Sequence, residues 1–399
     1  MGTAHSSKFF HALNFKYDGN GSIKKLSVIL QIDSKRLLYY HTNNILPSPE
    51  DLVKIEKALS ISKFELMLSM GIYDNSLKSL LQKEAKKISK NLKTPTLKKP
   101  KAIEPVFRTN SGRLFQGDCI EVMKTLKDES IDLIFADPPF NLNKIYPSGM
   151  DDNLSDSEYI LWCEEWLTEC VRLLKYGGSI FVWNLPEWNL YLGEFLNHRL
   201  KFRDLIAADI KFSLPIQNKL YPSHYSLLYY CKGDKPATFH PDRLPMEICR
   251  KCSNETKDYG GYKDKMNPKG INLTDVWYDI PPVRHTKYKK RQGANELSVK
   301  LMDRIIEMSS EEGDTILDPF GGSGTTYVVS EMKKRKWIGI ELDSCKIIID
   351  RFKEINEERE YLKTIRENYN ILFPPKIAMK RKALGIWTTD TFKEKKKSV

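Results

Sequence analysis

Across residues 107–371 the chain alternates short apolar runs with amphipathic stretches of helical period. The runs are Ile131-Asp132-Leu133-Ile134-Phe135-Ala136, Ser179-Ile180-Phe181-Val182-Trp183, Tyr225 to Cys231, Thr315-Ile316-Leu317 and Trp337-Ile338-Gly339-Ile340. Each has the length and composition of a β-strand, so the alternation predicts an α/β domain. Several of these strands stop at an acid or a proline: Asp137-Pro138-Pro139 follows the first, Asp318-Pro319 the fourth and Glu341 the fifth. In open parallel sheets, the edge where strands end is where ligands bind. Tyr176-Gly177-Gly178, just ahead of the second run, reads as a helix stop.

Upstream the pattern is different. Residues 22–74 read as all-helical. The run Leu26 to Ile32 ends at a turn, and Asp33-Ser34 caps a second helix over Lys35 to His41. Pro47-Ser48-Pro49-Glu50 opens another, with Leu52, Ile55 and Leu59 at helical spacing, and Ser62 to Met70 makes a final short helix. Residues 83–101 hold eight lysines, two prolines and no aromatic residue, the texture of a linker or a charged helical end. The expected organisation is a small all-α domain at 1–80, a Lys-rich linker at 81–106, the α/β domain at 107–371 and a basic tail at 372–399.

Composition narrows the partners. The 399 residues carry a formal charge of +12, from 64 Lys and Arg against 52 Asp and Glu. That balance favours a polyanionic partner such as nucleic acid or an anionic membrane surface, although a Lys-rich solvated surface gives the same number. No apolar run approaches the roughly 18 residues a membrane span needs. The opening MGTAHSSKFF has no charged segment followed by an apolar one, so no secretory signal and no membrane partner are expected. The cysteines, Cys119, Cys163, Cys170, Cys231, Cys249, Cys252 and Cys345, are odd in number and irregularly spaced, as reduced thiols of a cytoplasmic protein would be.

Two motifs carry candidate chemistry. In the first, residues 317–326 read Leu-Asp-Pro-Phe-Gly-Gly-Ser-Gly-Thr-Thr. A strand enters, Gly321, Gly322 and Gly324 turn the chain, and a helix is predicted to start near Thr325. Its N-terminus offers free N–H groups and partial positive charge. Alone, such a loop is weak evidence, since some loops of this kind are only tight turns. Asp318 at the strand tip can meet a cationic amine, and Glu341 at the tip of the next strand can accept from ribose hydroxyls. Together they favour an adenosyl ligand; no Gly-Lys-Ser/Thr follows, so this is not a P-loop.

The second motif is Asp137-Pro138-Pro139-Phe140. Two prolines fix the backbone and remove two N–H donors, leaving strand-tip carbonyls beside the Asp137 carboxylate and an aromatic wall at Phe140. An exocyclic amine needs such acceptors, because its lone pair is delocalised into the base. Hydrogen bonds from its N–H groups to Asp137 and to the Pro138 carbonyl favour a pyramidal, nucleophilic nitrogen. A base inside a duplex must be flipped out to reach the corner, where Phe140 can stack on it.

The two motifs together resemble those of DNA amino-methyltransferases acting on N6 of adenine or N4 of cytosine, in the permuted β-class order, over residues 107–360. The resemblance implies a doubly wound, Rossmann-like methyltransferase sheet with S-adenosylmethionine as cofactor. It implies catalytic roles for Asp137, Pro138, Pro139 and Phe140, and cofactor contacts from Asp318, Pro319, Phe320, Gly321, Gly322, Ser323, Gly324, Thr325 and Glu341. Asp118 matches an acid near the donor's adenine. The segment 293–308 matches a helix over the cofactor, with Asn295 and Ser298 as contacts, although its lead-in departs from the family's His-Pro-Thr-x-Lys-Pro. Asp at 137 favours adenine N6 over cytosine N4. C5-cytosine methylation is disfavoured, since no cysteine follows a proline.

By family position, residues 232–292 are the target-recognition region, with Arg284, Lys287, Lys289, Lys290 and Arg291 facing double-stranded DNA. Cys249 and Cys252 form a CxxC there, with His240 and His285 within the same stretch, but no second CxxC follows and no metal site is expected. Residues 26–70 resemble a helix-turn-helix of the phage-repressor type, which implies Lys35, Arg36 and Tyr40 in the major groove. A helical bundle for protein contacts is the other reading of that module. The family also implies a restriction endonuclease as companion, and a homodimer. A reading of another class is a DNA-binding regulator with an inactive methyltransferase body; the intact motifs stand against it.

Overall fold

The computed structural model describes residues 8–43, 45–90, 102–142, 153–209, 217–218, 220–244, 249, 251, 257–258, 260–262, 271–280, 296–367 and 375–385. The chain divides into two compact units, Met1–Lys99 and Pro100–Val399.

The first unit is helical: α1 (Lys8–Ala12), α2 (Asn20–Leu30), α3 (Ser34–Asn43), α4 (Pro49–Leu59), α5 (Lys63–Met70), α6 (Asn75–Lys83) and α7 (Ala85–Ser89). Its helix ends follow capping chemistry. Ser48 accepts from the Asp51 N–H ahead of α4, Ser62 accepts from the Glu65 N–H ahead of α5, and Gly71 closes α5 in the left-handed region. Helices α2 and α3 are joined by Gln31, at φ 52, with Ile32 and Asp33. α6 and α7 run into the Lys-rich stretch read as linker, where Leu77 gives α6 a buried anchor.

One expectation for α3 fails. Tyr40 is 5% exposed and packs in the core with Phe9, Leu37 and Ile55. Its hydroxyl donates to the fully buried Asp51 at 2.8 Å, and Arg36 pairs with the same carboxylate at 2.7 Å while donating to Ser48 Oγ. Both bonds tie α3 to α4; Tyr40 is buried there and cannot project into a groove, whereas Arg36 stays 44% exposed. A helical wheel places Tyr on either face, and the buried acid 11 residues on decided it. Lys35 is exposed, as are Leu38 and Tyr39.

The second unit is built on a nine-stranded sheet in the order β1-β2-β11-β10-β3-β4-β6-β5-β9. In chain order its elements are β1 (Phe107–Arg108), β2 (Gly112–Gln116), α8 (Cys119–Lys124), β3 (Ile131–Ala136), α9 (Asp156–Leu173), β4 (Leu174–Asn184), α10 (Pro186–Asn197), β5 (Lys201–Asp209), β6 (His224–Cys231), β7 (Arg243–Leu244), β8 (Ile271–Asn272), β9 (Val276–Trp277), α11 (Val299–Ser309), β10 (Thr315–Asp318), α12 (Thr325–Met332), β11 (Lys336–Glu341), α13 (Lys346–Lys353), α14 (Ile355–Glu367) and α15 (Pro375–Ala383). Strands β2, β11, β10, β3 and β4 are parallel, and β6 inserts antiparallel between β4 and β5. β7 and β8 form a separate two-stranded ribbon.

Successive side chains on a strand point to opposite faces, so a strand covered on both sides reads as an unbroken apolar run. In β3, Ile134 and Ala136 join a core with Trp166, Cys170 and Leu192 of α9 and α10. Leu133 and Phe135 join a second core with Leu301, Ile305 and Val329 of α11 and α12. The sheet is thus doubly wound. Gly177 and Gly178 do not stop a helix: α9 ends at Leu173 and β4 begins at once. A Cβ at Gly178 would sit 3.0 Å from the Asp132 carbonyl, so the glycine serves close strand approach at the β3–β4 register shift. Among the described residues, no helix is long and apolar enough to cross a membrane.

Tyr40→Phe removes a hydrogen-bond donor from a buried carboxylate and is expected to destabilise the first unit by roughly 1–3 kcal/mol. Chemical denaturation followed through the helical signal of the full chain checks it.

Candidate active site

Strands β3 and β10 are parallel hydrogen-bonded neighbours, with Leu133 opposite Ile316 and Ile134 opposite Leu317. Both therefore end on the same edge of the sheet, and Asp137-Pro138-Pro139-Phe140 leaves that edge beside Asp318-Pro319-Phe320. Asp137 lies near enough to Asp318 to act on it as a like charge.

The corner at 137–140 is held by side chains the sequence did not point to. The Tyr159 hydroxyl of α9 donates to the Pro139 carbonyl at 2.6 Å, and Asn184, the last residue of β4, donates to Tyr159 at 3.0 Å. Trp188 Nε1 of α10 donates to the Phe140 carbonyl at 3.0 Å. The two carbonyls after the first proline are thus taken. Among the described residues no hydrogen bond reaches the carbonyl of Pro138, the residue after the half-buried Asp137. Asn141, at φ 57, pairs both its amide atoms with the Leu154 backbone at 2.8 Å. The Phe140 ring is 9% exposed and packs 5.7 Å from Tyr225, so it offers a rim rather than an open stacking face.

In the second loop, Gly324 at φ 74 is the N-cap of α12, which starts at Thr325 as predicted. Gly321 and Gly324 face inward: a Cβ at Gly321 would lie 2.9 Å from the Tyr327 hydroxyl, and one at Gly324 2.8 Å from Ile348. At these two positions a side chain would collide with the interior. Gly322, at φ 51, is the exposed one. Its N–H donates to Glu341 Oε2 at 2.7 Å, while the Asp343 N–H donates to Oε1 at 2.8 Å. Glu341 thus keeps part of its acceptor capacity; burial raises its pKa, against these backbone bonds.

Asp318 does not point freely outward. It is 3% exposed, and its carboxylate receives the Phe320 N–H at 2.9 Å and the Thr326 hydroxyl at 2.5 Å. Burial pushes its pKa from 3.8 up to about 8, helped by the charges of Asp137 and Glu341 and opposed by those two hydrogen bonds. Pro319 is buried, and Phe320 packs on Trp166 and Trp162 of α9 at 5.2 and 5.8 Å. The Ser323 and Thr325 side chains are also turned inward. Both hydroxyls meet the guanidinium of Arg351, at 3.1 and 2.7 Å, and Arg351 is locked to Glu358 at 2.7 and 2.8 Å. What the loop presents outward is therefore backbone. Arg351 and Glu358, both buried, form a brace under it that no local pattern announced.

Asp118 is exposed and caps α8 by accepting from the Glu121 N–H at 3.0 Å. It stands by Glu341, since Gln116 pairs with Glu341 and the Gly117 N–H donates to the Glu341 carbonyl. Ser298 is the N-cap residue of α11 without a capping bond from its side chain, and the Thr325 hydroxyl donates to the adjoining Leu297 carbonyl at 3.2 Å. Asn295, Arg284, Lys287, Lys289, Lys290 and Arg291 lie outside the described residues, as do Cys252 and His285. Among the described residues no cluster of metal-ligating side chains occurs, and His240 pairs with Glu311. The thiols of Cys163 and Cys345 are pushed by burial to about 12, which does not suit a nucleophile.

A Rossmann-like sheet with an acceptor-rich corner beside a glycine loop is the architecture of a methyltransferase. The family model described as DNA methylase (N6/N4) matches residues 131–350. The chain is 49% identical over 369 residues to the Type II methyltransferase M.BamHI of Bacillus amyloliquefaciens, covering 91% of this chain and 87% of that one. It is 32% identical over 247 residues to the DNA adenine methyltransferase YhdJ of Escherichia coli (strain K12), covering 60% of this chain and 81% of that one. It is 32% identical over 233 residues to the Type II methyltransferase M.HpaI of Haemophilus parainfluenzae, covering 58% and 70%. The chain belongs to the N6/N4 DNA methylase family.

Two expectations follow. A carboxyl held at about 8 instead of 3.8 keeps a proton that the unfolded chain releases. Its contribution to stability is therefore whole below pH 3.8 and is lost as pH rises to about 8. Asp318→Asn should flatten that stretch of the melting-temperature profile; an unchanged slope would show that Asp318 is not the group. Arg351→Met leaves Glu358 buried without its partner and is expected to cost roughly 3–5 kcal/mol, measured by denaturation.

Proposed function

We propose that the corner at 137–140 receives the exocyclic amine of a base turned out of duplex DNA, and that the 318–325 loop with Glu341 holds S-adenosylmethionine. The observation that carries this reading is the division of labour among carbonyls: Tyr159 and Trp188 occupy those of Pro139 and Phe140, while among the described residues nothing donates to that of Pro138, the residue after Asp137. An amine with two N–H groups matches those two acceptors, one bond to each. Donation to them directs the nitrogen lone pair away from the ring system, and Asp137 is placed to take the proton the nitrogen must lose. The pocket supplies no covalent partner; it orients and polarises.

The residues present fit the donor. The Glu341 carboxylate, already fixed by two backbone N–H groups, retains lone pairs for ribose hydroxyls. Asp118, one oxygen of which is engaged in capping α8, stands beside it for the adenine end. The buried carboxyl of Asp318 would ionise next to a cationic group. S-Adenosylmethionine supplies, when bound, an electrophilic methyl group on a sulfonium. The loop's outward backbone, and Ser298 next to it, would position that end of the molecule.

Asp at 137 and the likeness to an adenine methyltransferase favour N6 of adenine. N4 of cytosine offers the same pair of donors, so nucleoside analysis of methylated plasmid separates the two. The likeness to Type II methyltransferases is the ground for reading the chain as a modification enzyme with a companion endonuclease; the homodimer rests on the resemblance of the motifs alone. For the first unit, we read α2, its turn and α3 as a DNA-binding module presenting Lys35. This rests on α3's exposed surface, which includes Arg36; Tyr40 is excluded by its burial against Asp51.

Asp137→Ala should lower methyl transfer to plasmid DNA by at least about a thousandfold, the scale of losing a positioned acceptor and proton acceptor together. S-Adenosylmethionine affinity, measured by calorimetry, should stay within a few-fold. Near-normal turnover would remove the pocket from consideration. In the unsubstituted chain, donor binding at pH 7 should release up to about one proton, read from heats in buffers of different ionisation enthalpy. Asp318→Asn should abolish that release.

A further inference from the structure

Helix α9 reaches both loops of the active edge. Its start is fixed by a capping box, in which the Ser155 hydroxyl accepts from the Glu158 N–H and the Glu158 carboxylate accepts from the Ser155 N–H. Tyr159 comes next and is 2% exposed. Its hydroxyl donates its proton to the Pro139 carbonyl at 2.6 Å and accepts from Asn184 Nδ2 at 3.0 Å. Asn184 is itself fully buried, and its other amide atom accepts from the Leu185 N–H at 2.7 Å. The Tyr159 ring lies 4.7 Å from that of Trp188, which holds the Phe140 carbonyl. The phenol is therefore set in direction by its bonds and by its packing.

One turn further along the same face, Trp162 is half-buried. Its ring is 5.9 Å from that of Tyr159 and 5.8 Å from that of Phe320 in the glycine loop. Trp166, fully buried, meets the same Phe320 ring edge-on at 5.2 Å. Residues 159, 162 and 166 share one helical stripe, on which three residues span only about 4.5 Å of the axis. The β3–β10 ladder ends at Ile134 and Leu317, short of both loops. Beyond it, this stripe is a shared support: Tyr159 for the proline corner, Trp162 and Trp166 for Phe320.

We propose that Tyr159 and Trp162 are positioning residues for methyl transfer, and that one turn of α9 sets the gap between the amine corner and the methyl-donor loop. The proposal rests on reading 137–140 as the amine corner and 318–325 as the donor loop. The ring of Pro139 fixes its φ. Once Tyr159 anchors the Pro139 carbonyl, a single soft torsion remains between that carbonyl and the Pro138–Pro139 peptide. The direction of the Pro138 acceptor is thus set from α9. Trp162, against Phe320, sets the other side of the gap from the same turn. Each residue acts through the group it holds, without touching base or donor. Sulfur, methyl carbon and amine nitrogen must lie in line for transfer, so an error in either support costs rate in the bound complex rather than binding.

The test uses the full chain with Tyr159→Phe, which keeps the ring and removes the donated proton, and with Trp162→Ala and Trp162→Phe. Melting temperature, S-adenosylmethionine affinity, duplex affinity and the single-turnover rate at saturating donor and duplex are measured. The duplex carries the site mapped from methylated plasmid. Folded Tyr159→Phe should keep both affinities within about twofold and lose at least about tenfold in single-turnover rate. Trp162→Ala should show the same split, and Trp162→Phe, which keeps a ring against Phe320, should recover most of the rate. An unchanged single-turnover rate in folded Tyr159→Phe or in folded Trp162→Ala would overturn the proposal. So would a loss seen only at subsaturating donor or duplex, the mark of weakened binding. If Tyr159→Phe does not fold, the two Trp162 variants decide. Asp137→Ala is the control for the underlying reading: near-normal turnover there sinks the amine corner and the positioning with it, whereas an inactive Asp137→Ala alongside unchanged rates in the α9 variants sinks the positioning only.

Discussion

The active edge depends on the parallel pairing of β3 with β10. Four residues in register, Leu133 with Ile316 and Ile134 with Leu317, bring two loops that are far apart in the chain to one rim. Without that ladder, the proline corner and the glycine loop would be unrelated features. The apolar cores on both faces enforce it, because slipping by one residue would exchange the faces of Leu133 and Ile134 and disturb both cores at once.

Rigidity at the rim comes from three independent braces. Tyr159 and Trp188 fix the proline corner from α9 and α10, Arg351 with Glu358 supports the glycine loop from α13 and α14, and Arg304 of α11 holds Asp279 and Asp242. Each brace joins a buried donor to an acceptor at the base of a functional loop. A methyl transfer without a covalent enzyme intermediate relies on such placement, since small errors in alignment weaken in-line chemistry sharply.

Much of the sheet was legible in the chain. β3 coincides with its apolar run, and β10, β11 and β6 each extend theirs by a residue or two, because strands buried on both faces need nearly continuous hydrophobicity. The short edge strands β1, β7, β8 and β9 carry too few residues to show a period. Gly177-Gly178 misled because glycine punctuates helices and also permits close strand approach. Both loop motifs were visible as residues, but not the direction of their side chains. Ser323, Thr325 and Asp318 turn inward, toward Arg351 and Thr326, partners that periodicity cannot reveal. Arg304 was hidden for the same reason: its acceptors lie 62 and 25 residues away.

The most direct measurement is a structure of the full chain with duplex DNA and sinefungin, an unreactive relative of the methyl donor. The account predicts a single base outside the helix stack, its exocyclic nitrogen within hydrogen-bonding distance of both the Asp137 carboxylate and the Pro138 carbonyl, and sinefungin's amine-bearing carbon turned toward that nitrogen from the 318–325 loop. A base held elsewhere, or sinefungin on another face of the sheet, would contradict it.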